Sequence, residues 1–263
     1  MTRVIALGDI HGQMAVFDRL HQIQQQYPDA LTVFIGDYID GHVQGFDVLQ
    51  AVRAESLAKP EQTIVLRGNH EQIMLDYLAD PEVKTWLFNG GDATMAYAIK
   101  AKFGHAEVDD LNRQRLLASY AGLLTWVDTL PLDYAIGKLR FVHAGYDLSA
   151  SNPVSLTSED VKLWAREDYW YGQQDGVFAH NPMPYTIVSG HTPTGYIEGR
   201  YEGNLRAPKA MDLMHHPVYA VKYPGEFARL FIDGGNHGGA QDMTGNIVVL
   251  DSQTGQLIKK FED

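Results

Sequence analysis

The chain contains no cysteine, which excludes disulfides and thiolate metal sites. A transition metal would have to be held by His, Asn, Asp or Glu. Basic residues are also scarce. Against 33 Asp and Glu there are 21 Lys and Arg, and the resulting charge of −12 argues against an extended nucleic-acid surface or an anionic-membrane surface. A phosphate substrate stays open, because bound metal ions reverse the sign locally. No apolar run approaches the length of a membrane span. The first strand is expected from Arg3, with no room for a signal peptide before it, so the expected location is cytoplasmic. The apolar share, 45% of 263 residues, is ordinary for a soluble globular protein and sufficient for a core without staples. We expect a single domain over residues 1–263.

The stretch Gln62 to Glu71 organises the rest. Ile64, Val65 and Leu66 read as a buried strand, Gly68 allows a sharp bend, and Asn69-His70 stands where open α/β sheets place their ligands. Glu71 opens a helical pattern carried by Ile73, Met74, Tyr77 and Leu78. The preceding residues follow the same rhythm. A strand over Arg3–Leu7 runs into Gly8-Asp9-Ile10-His11-Gly12 and a helix to about Gln26. A strand over Leu31–Ile35 runs into Gly36-Asp37-Tyr38-Ile39-Asp40-Gly41 and a helix over about Phe46–Leu57. Strand, acidic loop and helix in alternation imply a largely parallel sheet with helical crossovers.

Residues 72–130 change character and read as a helical insertion beside the site, with segments to Leu78, near Val83–Phe88, over Asp92–Lys102 and over Leu111–Val127. Strands return at Tyr134–Ile136, Leu139–Val142, Tyr185–Val188, Arg229–Ile232, Asn246–Leu250 and Gln256–Phe261, with a helix near Ser158–Trp164. Residues 195–225, rich in Gly, Pro and charge, read as a long loop or ribbon.

Five strands end in glycine-flanked polar groups: Asp9 with His11, Asp37 with Asp40, Asn69 with His70, then His143 and His191. Neighbouring strand ends converge in space. Counted as ligands, Asp9, His11, Asp37, Asn69, His143 and His191 supply three imidazoles, two carboxylates and an amide. That mixture suits Mn, Fe or Zn better than Mg or Ca. The set is larger than one ion needs, so two ions are implied, with Asp37 from a middle strand as the bridging carboxylate.

These motifs, together with Arg67-Gly68-Asn69-His70-Glu71, His143-Ala144-Gly145 and Gly190-His191-Thr192, resemble those of the phosphoprotein phosphatase family of calcineurin-like metallophosphoesterases, in its small bacterial and phage form. They fall in the family's order over residues 8–192. The resemblance implies an α/β (α+β) fold, a four-layer αββα sandwich of two mixed sheets flanked by helices. It also implies that Asp9, His11 and Asp37 hold one divalent ion and Asp37, Asn69, His143 and His191 a second. Manganese is the expected metal, with iron or zinc as alternatives. His70 would be the general acid, oriented by Asp40. Arg166, in Trp164-Ala165-Arg166-Glu167, matches the phosphate-binding arginine of phage-type members.

The expected activity is that of a phosphomonoesterase of the Ser/Thr protein phosphatase type, using a water shared by the two ions. The alternative is a bis(5'-nucleosyl)-tetraphosphatase or a phosphodiesterase of the same superfamily. The expected partner is a phosphoprotein or a nucleotide. One position departs from the pattern: where the family has Asp-Arg-Gly, this chain has Asp40-Gly41-His42. His42, Arg200, Arg206 and Lys209 are candidate substitutes for the missing arginine. His237 is expected either to line the pocket or to cap a turn. His180, His215 and His216 are expected at the surface.

Overall fold

The computed structural model describes residues 2–105, 107–240 and 243–263. Two five-stranded mixed sheets face each other. The first has the order β10-β9-β1-β2-β3, formed by β1 (Arg3–Leu7), β2 (Leu31–Phe34), β3 (Thr63–Val65), β9 (Ile247–Asp251) and β10 (Leu257–Phe261). β1, β2 and β3 run parallel, and the terminal hairpin β9–β10 joins antiparallel at β1. The second sheet has the order β4-β5-β6-β8-β7, from β4 (Asp133–Ile136), β5 (Leu139–Val142), β6 (Thr186–Ser189), β7 (Tyr219–Val221) and β8 (Arg229–Phe231). Its centre, β5-β6-β8, is parallel and both edges are antiparallel.

The period-two alternation of the strands builds the layers. Val4, Ala6, Val33, Val248 and Leu250 of the first sheet meet Leu139, Phe141, Val188 and Leu230 of the second in the core between the sheets. The alternate residues Ile5, Leu7, Phe34, Ile247 and Val249 point outward. They are covered by α1 (Ala15–Gln26), α2 (Gly45–Ala58), α3 (Asn69–Ala79), α4 (Asp92–Phe103) and α5 (Asp110–Asp128). The outer face of the second sheet carries Val142, Ile187 and Phe231. Its cover is short and irregular: α6 (Pro153–Leu156), α7 (Glu159–Trp164), α8 (Glu167–Trp170) and the loops bearing Phe178, Tyr201 and Tyr223. Arg229, buried on this face, donates to the backbone carbonyls of Tyr169, Trp170 and Ala179 and so ties the cover to the sheet. Both sheets and the sandwich therefore match the expected fold class.

Three details differ from the sequence reading. The helix expected near Val83–Phe88 is a single irregular turn at Leu87–Gly91, broken where Gly90 takes φ +100. α6 and α8 have no counterpart among the expected elements; four residues are too few for a helical period to show. Residues 195–225 are mostly loop as expected, but Tyr219–Val221 adds the edge strand β7. Among the described residues, no helix is long and apolar enough to cross a membrane.

Candidate active site

The parallel order of β1, β2 and β3 brings their carboxyl ends together, and β5, β6 and β8 end on the facing sheet at the same place. The loops after them interlock through the backbone. Asp9 N donates to Gly36 O at 2.9 Å, His11 N to Asp37 O at 3.1 Å, and Gly190 N to His143 O at 2.8 Å. Asp9, His11, Asp37, Asp40 and His191 all take φ between +48 and +69. Left-handed backbone costs a non-glycine residue about 1–3 kcal/mol. It persists here because neighbouring loops fix each residue. Gly36, at φ +105, lies where an added Cβ would come 2.6 Å from Gly68 Cα, so the second and third loops touch only because both positions lack a side chain.

All six residues expected as ligands are buried and brought together. Asp9, His11 and Asp37 offer ligand atoms within 4.8 Å of one another, and so do Asp37, His143 and His191; Asp37 is common to both groups. Asn69 Oδ1 lies 2.8 Å from His143 Nε2 and 2.9 Å from His191 Nδ1. The chemistry of this set calls for a cation. His143 Nδ1 faces the Ile35 carbonyl at 3.0 Å and can only donate to it, so in the neutral ring Nε2 carries a lone pair. That lone pair points at two further acceptors, Asn69 Oδ1 and, at 3.4 Å, Asp37 Oδ1. His11 repeats the arrangement, with Nδ1 on Ile39 O at 2.9 Å and Nε2 3.7 Å from Asp37 Oδ2. Asp9 Oδ2 and His191 Nε2 are buried without a hydrogen-bond partner. Converging lone pairs in a buried place are stable around bound metal, and ligation requires neutral imidazoles. Burial drives His11 down to about 3 and holds His191, which also faces His143 and Arg166, well below the usual imidazole range, whereas the Asp37 carboxylate, against burial, raises His143 until a metal takes the proton's place.

His70 stands apart from this set. Its Nδ1 lies 2.7 Å from Asp40 Oδ2. Asp40, fully buried, also accepts from Thr94 Oγ1 at 2.8 Å and from Trp86 Nε1 at 3.0 and 2.9 Å. Burial alone would lower His70, but the Asp37 and Asp40 carboxylates outweigh it and lift the imidazole to about 9. Glu71 is the hidden brace of the site. Its Oε2 accepts from Asp37 N at 2.9 Å and Gly68 N at 3.0 Å, and its Oε1 from Tyr38 N at 2.8 Å. The bond to Gly68 is half of a capping box at the start of α3. Glu71→Gln leaves one acceptor for three buried donors. An unsatisfied buried group costs about 1–3 kcal/mol, so the melting temperature should fall by about 2–10 °C. A thermal scan that superimposes on the parent's would remove this bracing role.

The site opens into a cavity of about 570 Å³ lined by His11, Asp37, Asn69 and His70 at its floor. Arg166 lines it as expected and donates from Nη1 to Thr192 Oγ1 at 2.7 Å. His237 and Asp233 line it too. Asp233 lies two residues past β8 and is followed by two glycines, the signature of the other strand ends, but it is not among the residues expected at the site. Burial, then the charge of Asp233 and Asp37, holds Asp9 well above the usual carboxylate range. His216 lines the cavity and accepts from Gly195 N at 3.1 Å, so it is half-buried, not a surface residue as expected. His180 and His215 are exposed, as expected.

None of the four candidate substitutes for the missing arginine lines this cavity. His42 pairs with Gln13 Nε2 at 2.8 Å, Lys209 donates to the carbonyls of Thr194 and Ile197, and Arg206 lies over Tyr201. Arg200 is held by backbone pairing with Gly176 and Phe178.

The family model for calcineurin-like phosphoesterases matches residues 2–227. The chain is a calcineurin-like phosphoesterase. It is therefore a hydrolase of phosphoric ester bonds, from a family that works with a dinuclear metal centre. Its fold is shared with several solved structures at low identity. A protein assigned as a diadenosine tetraphosphatase is 18% identical, with 99% of this chain and 93% of that one covered and a TM-score of 0.56. A protein serine/threonine phosphatase from Saccharomyces cerevisiae is 17% identical, with 100% and 80% covered and a TM-score of 0.55. A cold-active protein-tyrosine phosphatase from a psychrophilic Shewanella species is 15% identical, with 96% and 76% covered and a TM-score of 0.51.

Proposed function

We propose that this phosphoesterase hydrolyses phosphate monoesters, with a phosphorylated Ser or Thr side chain as the substrate class. The observation that carries the reading is one cavity floor holding two things at once: a metal-seeking acceptor set centred on Asp37, and a separate acid, His70, held by Asp40. Asp9, His11 and Asp37 would hold one divalent ion, and Asp37, Asn69, His143 and His191 the other. Manganese is the proposed metal, in keeping with mixed nitrogen and oxygen donors. Such a pair supplies Lewis acidity, activating a water and offsetting phosphoryl charge.

The chain's own groups do the rest. Arg166, on the His191 side, can pair with a phosphoryl oxygen in a charge-assisted bond. His70 gives the proton on its Nε2 to the ester oxygen as the P–O bond breaks and water adds to phosphorus. The Nδ1–H stays with Asp40, which keeps the ring from turning.

A second reading has its own support. Beyond the floor, the cavity continues past Trp164, Pro193, Tyr196 and Met214, more apolar surface than a bare phosphoryl group needs. A dinucleoside polyphosphate would place a base there. Metal-stripped protein given p-nitrophenyl phosphate, with and without Mn²⁺, tests the first reading. Strong Mn-dependent release is expected. If metal binds and no release follows, the monoesterase reading falls and dinucleoside polyphosphates become the leading substrate.

Metal should also stabilise the fold. With free Mn²⁺ at 100 times its Kd, one site adds about 2.7 kcal/mol. For a chain of this size that is a rise of about 5–10 °C in melting temperature. Mg²⁺ at the same concentration should give less, because three of the six proposed donors are imidazoles and Mg²⁺ favours oxygen. A scan unmoved by Mn²⁺ would remove the metal centre from the proposal.

A further inference from the structure

We propose that His237 is a substrate-contacting residue, its ring holding a phosphoryl oxygen on the His11–His70 side of the cavity, and that Gly41 is glycine to admit it. This rests on the phosphoesterase reading of the site. His237 sits in the turn Asn236–Gly238 that follows Asp233-Gly234-Gly235 at the end of β8. Its ring centroid lies 4.8 Å from that of His11 and 5.3 Å from that of His70. The three imidazoles offer ring nitrogens within 4.8 Å of one another. His11 and His70 are buried, while His237 is exposed to the cavity.

The existing partners show why a substrate oxygen would meet His237. Arg166 reaches Thr192, and Trp164 packs edge-on against His191 at 5.9 Å, so this cation serves the His191 side. On the other side, His11 has one nitrogen on the Ile39 carbonyl and the other towards Asp37. His70 has one nitrogen on Asp40 and the other 4.0 Å from Asp37 Oδ2, the nitrogen that the proposed mechanism gives to the leaving oxygen. Asn89 is also in the lining, but its Nδ2 donates to Thr85 O at 2.7 Å. His237 gives one ring nitrogen to the Asn89 backbone, and its other nitrogen, as imidazolium, is left to serve a non-bridging oxygen there.

Gly41 links this to the sequence. A Cβ added at Gly41 would lie 2.8 Å from both Cα and O of His237, and Gly41 holds φ +69. Any side chain at position 41 would push the 236–238 turn outward and take the imidazole with it. The turn is fixed from its own side: Gly235 N donates to Asp233 Oδ1 at 2.7 Å, and Gly239 N to Asn236 O at 3.3 Å. A group projecting from position 41 and the imidazole of His237 are therefore mutually exclusive, and this chain has the imidazole.

The test titrates inorganic phosphate calorimetrically into manganese-loaded parent, His237→Ala and Gly41→Ala, with metal content measured by atomic emission and melting temperature recorded for each. A bond to a charged group predicts phosphate affinity about 10- to 100-fold weaker in His237→Ala. Metal content should stay at the parent's. Gly41→Ala should show a loss of the same kind, and the double variant no more than His237→Ala alone. Phosphate affinity within twofold of the parent in His237→Ala would overturn the proposal. So would a drop in bound metal, which would make His237 a ligand, or a parent that binds no phosphate at all. Phosphate binding that depends on His237 in a protein without turnover would uphold this contact while refuting the monoesterase reading.

Discussion

Replacing His70 with Asn should lower turnover of an alkyl phosphate by about 10²–10⁴-fold, the usual contribution of a positioned general acid. Bound metal should stay at the parent's level. The two predictions separate because His70 is not among the residues converging on Asp37 through lone pairs; its Nδ1 is committed to Asp40 at 2.7 Å. The leaving group gives a sharper check. An alkoxide is a poor leaving group and needs the proton, whereas p-nitrophenolate is a stable anion and needs it little. The loss should therefore be near the large end on an alkyl phosphate and much smaller on p-nitrophenyl phosphate. Equal losses on both would argue that His70 binds or positions and does not protonate. Asp40→Asn should follow the same leaving-group pattern, since it frees the ring to turn and disturbs Trp86 and Thr94 as well. The double variant should be little worse than His70→Asn, because residues acting as one unit do not add.

The residues proposed for this chemistry were largely legible because most of them follow a buried strand and sit beside a glycine. Asp9, Asp37, Asn69 and His191 carry that signature, His143 has its glycine two residues on at Gly145, and the parallel sheet turns separate sequence positions into one site. Asp233 carries it too, at Ile232-Asp233-Gly234-Gly235, and was within reach of the same argument. Trp86 and Thr94 were not. They hold Asp40 from the helical stretch between β3 and β4, where nothing local distinguishes an indole N–H that meets a carboxylate from one that packs in a core. For His237 the sequence left open whether it lines the pocket or caps a turn, because the turn bearing it packs against Gly41, nearly two hundred residues earlier. Four of the five strands of the second sheet, all but β7, could be read from their apolar runs. Their arrangement could not, since β6 and β8 are neighbours across an irregular segment that contains β7. Family resemblance, not periodicity, supplied the sandwich.

Asp37→Asn should have the widest effect of any single change, because both proposed ion sites share this carboxylate. Its Oδ1 accepts from His70 N at 3.0 Å and faces His143 Nε2 at 3.4 Å, while Oδ2 faces His11 Nε2 at 3.7 Å. Burial would raise Asp37, but the charge of protonated His143 and His70 outweighs it and holds the carboxyl well below its usual range. Asparagine keeps the shape and tolerates φ +58, so the fold should survive. What is lost is the charge between two clusters of imidazoles. Removing one member of a buried charged set costs about 3–5 kcal/mol, or about 10²–10⁴-fold in affinity for metal. Both ions should be weakened together and turnover should fall with them. Asp9→Asn is the control, since Asp9 belongs to only one of the two groups. It should weaken one ion and leave the other near its parent affinity. Titration of Mn²⁺ into the two variants decides the matter: a shared bridge predicts two weak sites in one and a single weak site in the other. If Asp37→Asn kept either ion at full affinity, the carboxylate would belong to one metal alone, and the two clusters would be neighbours and not a pair.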